Sequence, residues 1–199
     1  MDLVARVQAI ILKPKEEWLK IKAETTTVKD LFMSYALILA AIPAVAQFIG
    51  NALIGRRLPF YGWYRWNIGS ALVYAIFMYI AALATVYILG LIIDALAPNF
   101  ASQKNQLSAM KLAVFSMTPG WIAGALYIVP FLGILAALGS LYGLYVLYLG
   151  FSTPLMETPK DKVVGYFVVS LVVAIVLTAV FGLILGAFFA VGGIGFRTL

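Results

Sequence analysis

The sequence contains neither cysteine nor histidine among its 199 residues. Their absence excludes disulfides, thiol nucleophiles, histidine general bases and the usual zinc ligand sets. Carboxylates are also scarce, because five of the eight precede Leu31 and the others are Asp94, Glu157 and Asp161. We therefore expect a protein that is not an enzyme and holds no cofactor and no metal ion.

Charge of either sign is rare, at 11% of the residues, and none lies between Lys111 and Glu157. Hydrophobic residues make up 64% of the chain, whereas an ordinary soluble domain is roughly 25% charged and about half apolar. A membrane-spanning helix needs about 20 mostly apolar residues, so the uncharged run alone can cross a bilayer twice. The composition predicts an all-α, polytopic membrane protein.

The net charge of +6 comes from basic residues that lie mainly between the apolar blocks. This placement is typical of membrane topology signals and of contact with anionic lipid. We expect membrane lipids as partners and do not expect nucleic acid.

Residues 1–27 form a first segment, predicted as two amphipathic helices that lie in the membrane interface. Apolar residues recur at helical spacing at Leu3, Val7, Ile10 and Ile11. Arg6 is therefore expected to point away from this apolar face. A second helix begins at Pro14, and its Trp18 is expected at the lipid headgroups. The alternative is an ordinary amphipathic helix packed on its own protein.

Residues 28–199 form the second segment, predicted as a five-helix transmembrane domain. Thr27 and Asp30 give a capping signal before the first span, and Thr158-Pro159 gives another before the last. Pro43 is expected to kink the first span. The predicted spans are about 31–54, 68–96, 107–129, 131–151 and 163–191.

Five spans place the two termini on opposite sides of the membrane. With a cytoplasmic N-terminus, ten of the 14 Lys and Arg residues fall in inside segments and four fall outside. Positive residues favour the cytoplasmic side. The sequence predicts the cell inner membrane, a cytoplasmic N-terminus and an outside C-terminus.

The loop after the first span interleaves arginine with aromatic residues. Such a pattern can stack on single-stranded bases, but between two spans it is typical of an aromatic belt with arginines at the headgroups. The predicted lipid-interface residues are Trp18, Arg56, Arg57, Trp63, Arg65 and Trp66.

Three small-residue pairs at GxxxG spacing occur in the last three spans. In lipid, close helix approach depends on small residues, so these glycines are predicted at helix contacts. Chance occurrence in a glycine-rich chain is the alternative. The glycines are Gly120, Gly124, Gly139, Gly143, Gly182 and Gly186.

Two polar features lie near the third span. Pro119 cannot donate to the carbonyl of Phe115, and broken helices with freed backbone groups bind ions in many transporters. A purely structural kink is the alternative. The candidate ligand or ion site consists of Phe115, Ser116, Thr118, Pro119 and Trp121.

The second feature is an ion pair between Asp94 and Lys111 at the cytoplasmic boundary, for which simple solvation is the alternative.

With these segments placed, the chain resembles the Yip1 family, in particular its small bacterial members. The residues that carry the resemblance are Pro14 and Trp18, Ile92-Ile93-Asp94-Ala95-Leu96-Ala97-Pro98, the run from Lys111 to Gly124, Pro130 and Gly133, Leu141-Tyr142-Gly143-Leu144-Tyr145, and Pro154-Leu155-Met156. The resemblance implies a five-span bundle with a cytosolic N-terminus. Eukaryotic members are linked to Rab-type GTPases through a longer N-terminal region with an Asp-Leu-Tyr/Trp-Gly-Pro type motif. This sequence lacks that motif, so the link to a GTPase is not carried over from those members.

Two functions are compatible with the sequence. The first is a non-enzymatic membrane protein that binds lipid or protein partners and organises the membrane locally. The alternative is a small channel or transporter that uses the broken third span around Thr118-Pro119, as a homo-oligomer because five helices enclose little volume.

Overall fold

The computed structural model describes residues 2–58, 62–153, 155–191 and 197–198. Pro154 and the side chains of Arg56 and Arg57 lie outside the described part, so the predictions that involve them are not addressed by it.

Within the described residues the chain forms eight helices joined by short connections. They are α1 (Leu3–Leu12), α2 (Pro14–Ala23), α3 (Val28–Ile54), α4 (Ile68–Leu96), α5 (Gln106–Ser116), α6 (Thr118–Ala123), α7 (Gly133–Ser152) and α8 (Val163–Val191). Short 3₁₀ turns cover Ala97–Phe100, Gly124–Ile128 and Pro130–Leu132.

Side-chain caps fix where four of these helices begin. The side chains of Asp2, Thr27, Asn67 and Asn105 accept hydrogen bonds from backbone N–H groups two or three residues on. Each bond satisfies a donor that a helix start leaves without an intrahelical partner. The cap at Thr27 is the one that the sequence predicts.

Four helical stretches in the described chain are long and apolar enough to cross a membrane. They cover Val28–Ile54, Ile68–Phe100, Pro130–Ser152 and Val163–Phe188. The prediction of an all-α polytopic membrane protein is confirmed, and α4 and α8 have the same bounds as the predicted second and fifth spans.

Helix α3 is continuous through Pro43, but it departs from regular α-helix in two places. Its backbone is π-helical at Phe32–Ala36 and at Gly50–Ile54. The second π turn lies where Gly50 passes the Tyr127 carbonyl so closely that a Cβ there would sit only 2.9 Å from the Ile128 carbonyl oxygen. Neither π turn includes Pro43, which lies within the α-helical stretch Leu37–Ile49 between them.

The predicted third span is not one helix. Residues 106–128 are divided into α5, α6 and a 3₁₀ turn, each too short to span a membrane alone. Of the five predicted spans, four are therefore continuous helices in the described chain, and the third is discontinuous.

Helix α5 occupies the centre of the bundle. Its residues from Ala109 to Ser116 are all buried, so the helix is enclosed on every side. Helices α2, α3, α4 and α7 surround it, and α8 lies at the edge against α4 and α7. Close packing is visible at Gly90 of α4, where an added Cβ would approach the Met110 Cε to 3.2 Å.

A small antiparallel sheet follows α3, although no strand is predicted from the sequence. Strands β1 (Arg56–Leu58) and β2 (Gly62–Arg65) pair with Arg57 opposite Trp63. Strand β3 (Arg197–Thr198) adds to the free edge of β2. Gly55 and Gly62 take positive φ angles of 76° and 77°, which glycine adopts at little cost and which allow the chain to reverse.

Candidate functional site

The break between α5 and α6 follows directly from Pro119. This residue has no N–H to donate to the Phe115 carbonyl, and its fixed φ suits the first turn of a new helix. The N–H of Met117 accordingly turns back to the Val114 carbonyl at 3.2 Å, which tightens the end of α5. Helix α6 then begins at Thr118. The break predicted at this point is present.

Hydroxyl groups at the break are engaged with the protein itself. The Thr118 Oγ1 lies 2.8 Å from the Tyr35 hydroxyl of α3, and both residues are fully buried. The Ser116 hydroxyl donates to the Leu112 carbonyl at 2.6 Å. The ring of Phe115 meets that of Tyr35 edge to face, with centroids 4.9 Å apart. The predicted residues thus join α5, α6 and α3 rather than line an open polar chamber.

Trp121 also belongs to this packed region. It is only 6% exposed, and its backbone N–H donates to the Met117 carbonyl at 3.0 Å. This bond reaches back across the break, because Met117 lies between α5 and α6.

Four of the predicted packing glycines lie at helix contacts. A Cβ at Gly143 would sit 2.8 Å from the Ser116 carbonyl, one at Gly124 would sit 2.6 Å from Pro43, and one at Gly120 would sit 3.2 Å from the Ser140 hydroxyl. A Cβ at Gly139 would clash with Ala123. These contacts fasten α6 and the turn after it between α7 and α3.

The third glycine pair does not follow this prediction. A Cβ at Gly182 or Gly186 would meet no atom of the described chain within 4 Å. The outer half of α8 lies beyond its neighbours, so small residues there bring no helices of this chain together.

Sequence reasoning missed a cluster of buried charges beside the break. Arg6 of α1 is 6% exposed, and its guanidinium donates to Glu17 and Glu24, at the two ends of α2. The Arg6 guanidinium carbon also lies 5.6 Å from the centroid of the Phe115 ring. Arg6 was predicted to point away from the apolar face of α1, but the carboxylates and the ring compensate its burial.

The predicted ion pair between Asp94 and Lys111 does not form. Lys111 is 3% exposed, and its ammonium donates to the backbone carbonyls of Ile21 and Glu24, each at 2.7 Å. It therefore caps the C-terminal end of α2, where a cation is favoured by the helix dipole. One Asp94 carboxylate oxygen is buried with no hydrogen-bond partner among the described residues.

Trp18 also differs from its predicted position at the headgroups. It is 1% exposed, its indole N–H donates to the Val146 carbonyl at 3.1 Å, and its ring packs edge to face against Phe115. Gly150 makes room for it, since a Cβ there would lie 2.9 Å from the indole ring. Tryptophan has both an apolar body and a polar tip, and here the protein rather than the lipid satisfies both.

The remaining interface residues lie around the small sheet. Trp63 is 58% exposed, and Arg65 is exposed as well. Trp66 is half-buried and packs edge to face on Tyr74 with centroids 5.1 Å apart. Their contact with lipid stays a prediction.

Helices α1 and α2, termed here the N-terminal hairpin, therefore have two different faces. The inner face packs into the bundle through Ile10, Trp18 and Ile21, and the Tyr142 hydroxyl donates to the Ile11 carbonyl at 2.8 Å. The outer face exposes apolar and basic side chains together. These are Val4, Leu12 and Leu19 with Lys13, Lys15 and Lys20.

Comparison with known proteins gives one family. The Yip1 domain family model matches residues 9–183. The chain is 27% identical over 160 residues to two curated relatives, the inner membrane protein YohC of Escherichia coli strain K12 and that of Escherichia coli O6:H1 strain CFT073. The match covers 74% of this chain and 77% of each relative. No solved structure matches the chain.

Proposed function

Since this chain belongs to the Yip1 domain family, we propose that it is a non-enzymatic protein of the cell inner membrane that binds anionic lipid through the N-terminal hairpin. By holding those lipids beside its transmembrane bundle, it organises the membrane locally.

The outer face of the hairpin carries this proposal. Leu12 is 76% exposed and Leu19 is 55% exposed, and both are too large and apolar to favour water. The neighbouring Lys13 and Lys20 side chains are 69% and 67% exposed, and each ammonium lies beside a carboxylate of α2, at 4.0 Å from Glu16 and 3.2 Å from Glu17. Apolar side chains that enter the acyl boundary together with lysines that bind phosphate are the physical basis of interfacial helices.

The inner face of the hairpin adds the second element of the proposal. The bonds of Trp18 and Lys111 hold the hairpin on the bundle, so that lipid bound outside it stays next to the membrane-spanning helices. A hairpin on a free linker would bind lipid without placing it.

The lipid that remains with the purified full-length chain tests this proposal. Lys13→Gln, Lys15→Gln and Lys20→Gln together remove three positive charges from the outer face. Each basic residue near an anionic surface contributes about 1 kcal/mol, so the share of anionic lipid retained should fall by at least about tenfold. Lipid extracted from protein in mild detergent is quantified by mass spectrometry.

The matched control removes the same charge from another part of the cytoplasmic side, through Lys104→Gln, Lys160→Gln and Lys162→Gln. This variant should keep its anionic lipid. Equal losses in the two variants would show that net charge alone attracts the lipid, and retention in both would rule out the hairpin.

Five crossings with a cytoplasmic N-terminus belong to the same proposal. In support, β3 pairs with β2, so residues 197–198 lie beside the loop that follows α3. Five crossings require these two segments to lie on the same side of the membrane. The natural absence of cysteine makes single-cysteine labelling simple. Arg57→Cys should react with an impermeant reagent from outside, and Lys104→Cys and Lys160→Cys only from inside; the reverse pattern would invert the topology.

Transport through the break is the second candidate function, and the discontinuous α5–α6 segment beside the buried Arg6 and Glu17 favours it. Broken helices near buried charges are typical of transporter ion sites. If transport occurs there, reconstituted liposomes should show a flux that Thr118→Val and Pro119→Ala reduce. A robust flux that ignores both changes would exclude this site.

A further inference from the structure

A cleft of about 560 Å³ lies where α8 fails to close against the break and α7. Its lining comes from the end of α5, the start of α6, and the facing sides of α7 and α8. Ligand pockets in proteins have volumes of roughly 300–1,000 Å³, so the cleft has the size of a binding site.

The cleft opens sideways, toward the surface of the bundle. At its rim, Leu141 is 60% exposed and Ile175 is 58% exposed. At its floor, Ser116 and Leu147 are each only 1% exposed. Because the rim belongs to the long apolar helices α7 and α8, whatever enters between them comes from the hydrocarbon of the bilayer.

The lining offers little to a polar ligand. Leu144, Leu171 and Ala174 are typical of it, and no described residue of the lining is charged. The Ser116 hydroxyl already donates to Leu112, and the Thr178 hydroxyl donates to the Ala174 carbonyl at 2.8 Å. The third hydroxyl of the lining belongs to Ser140. A polar solute would lose its hydrogen bonds to water and find only these three hydroxyls in return, whereas a hydrocarbon chain has none to lose.

The cleft is stable neither when filled with water nor when empty. Apolar cavities of this kind stay dry, and an unfilled cavity forfeits dispersion contacts all along its walls. A slender, flexible hydrocarbon chain restores those contacts. We propose that the cleft is a binding site for one acyl chain of a membrane lipid, which enters sideways between α7 and α8.

This site is separate from the outer face of the hairpin. The hairpin presents lysines for headgroups, while the cleft recognises the chain and is indifferent to the headgroup. Failure of one proposal therefore leaves the other standing.

Filling the cleft tests the proposal. Ala179 lies in the lining and is exposed, so Ala179→Phe places a ring in the opening without disturbing the core. Ala174→Leu fills the space more deeply. In native mass spectrometry of the full-length chain, the wild type with added diacyl phosphatidylcholine should retain one tightly held lipid. The variant that lacks the three hairpin lysines should do the same with phosphatidylglycerol. Each filling variant should bind that lipid about tenfold more weakly, which corresponds to 1.4 kcal/mol.

The control is Val176→Phe, which adds the same ring on α8 at an exposed residue outside the lining. It should retain the lipid like the wild type. Added lipid should also raise the unfolding temperature of the wild type and of the control, but not of the filling variants, because a ligand stabilises only the state that binds it.

Three outcomes would overturn the proposal. The filling variants could keep the lipid unchanged, Val176→Phe could lose it equally, or retention could depend on the headgroup alone and vanish with the lysines of the hairpin. A free fatty acid that displaces the phospholipid would identify the chain rather than the whole lipid as the ligand, in agreement with the proposal.

Discussion

Helix α5 lies in the middle of the bundle, whereas α8 runs along its edge, and both are apolar on nearly every side. Every residue of α5 from Ala109 to Ser116 is buried, but only 11% of the most hydrophobic window of α8 is buried inside the protein. In a soluble protein, a helix that is apolar all round must be central. In a bilayer the hydrocarbon accepts such a helix as readily as the protein does, so apolar periodicity no longer distinguishes centre from edge.

What separates the two helices is the polar and small residues they bring. Helix α5 carries Lys111 and Ser116, and the buried Arg6 lies against its Phe115. Each of these groups needs a protein partner, because hydrocarbon supplies none. The outer half of α8 presents Gly182 and Gly186 with no neighbour in the described chain. The enclosed helix is thus the one whose side chains lipid cannot satisfy.

Among the changes that test this contrast between α5 and α8, Arg6→Met is expected to have the largest effect. It leaves the buried Glu17 with only the exposed Lys20 as an ionic partner, and breaking a buried ion pair costs about 3–5 kcal/mol. We expect the free energy of unfolding to fall by that amount when the full chain is titrated with a denaturing detergent. Adding Glu17→Gln should recover part of the loss, because the buried negative charge that Arg6 neutralised is then gone.

The control removes the exposed partner of the same carboxylate. Lys20 lies 3.2 Å from Glu17, but its side chain is 67% exposed, so Lys20→Met should change stability by no more than about 1 kcal/mol. If the two variants were equally mild, the cluster would not fasten the hairpin to α5, and the distinction between centre and edge would weaken.

A second, smaller effect compares two glycines that each belong to a GxxxG pair. Gly143→Ala places a Cβ 2.8 Å from the Ser116 carbonyl, and such overpacking costs about 1–3 kcal/mol. Gly182→Ala meets no atom of the described chain within 4 Å and should be neutral or slightly stabilising, since alanine favours helix by up to about 1 kcal/mol. The free energies of unfolding of both variants are measured in the same detergent. If Gly182→Ala lowered the free energy of unfolding as much as Gly143→Ala does, α8 would have to pack there against something outside the described chain.

The sequence could predict the features of this structure that are determined by residues close together in the chain. The bounds of α4 follow from the cap at Asn67 and a continuous apolar run, and the break at Thr118 follows from the missing donor of Pro119. Both rules involve residues within a few positions of one another. The four glycines at helix contacts were also predictable, because close approach in lipid has few other solutions.

The rest depends on partners that are distant in sequence. Arg6 is buried because α2 folds back and brings Glu17 and Glu24 to it, and its ring partner is more than a hundred residues away. Trp18 turns inward because Gly150 leaves space and Val146 offers a carbonyl. Residue type alone indicates a membrane interface for tryptophan, and only the packed neighbours show that the protein is its environment.

The smallest effect concerns the polar bond that joins the break to α3. Tyr35→Phe removes the hydroxyl that lies 2.8 Å from Thr118 but keeps the ring against Phe115, so the expected loss is about 1 kcal/mol. Thr118→Val should cost a similar amount, and the double variant should cost less than the sum, because both changes remove the same bond. The corresponding change on α8, Thr178→Val, removes a hydroxyl that bonds only to the backbone of its own helix and should have a smaller effect. Strict additivity of Tyr35→Phe and Thr118→Val would mean that the two hydroxyls do not share a bond, and the polar link between the break and α3 would be lost.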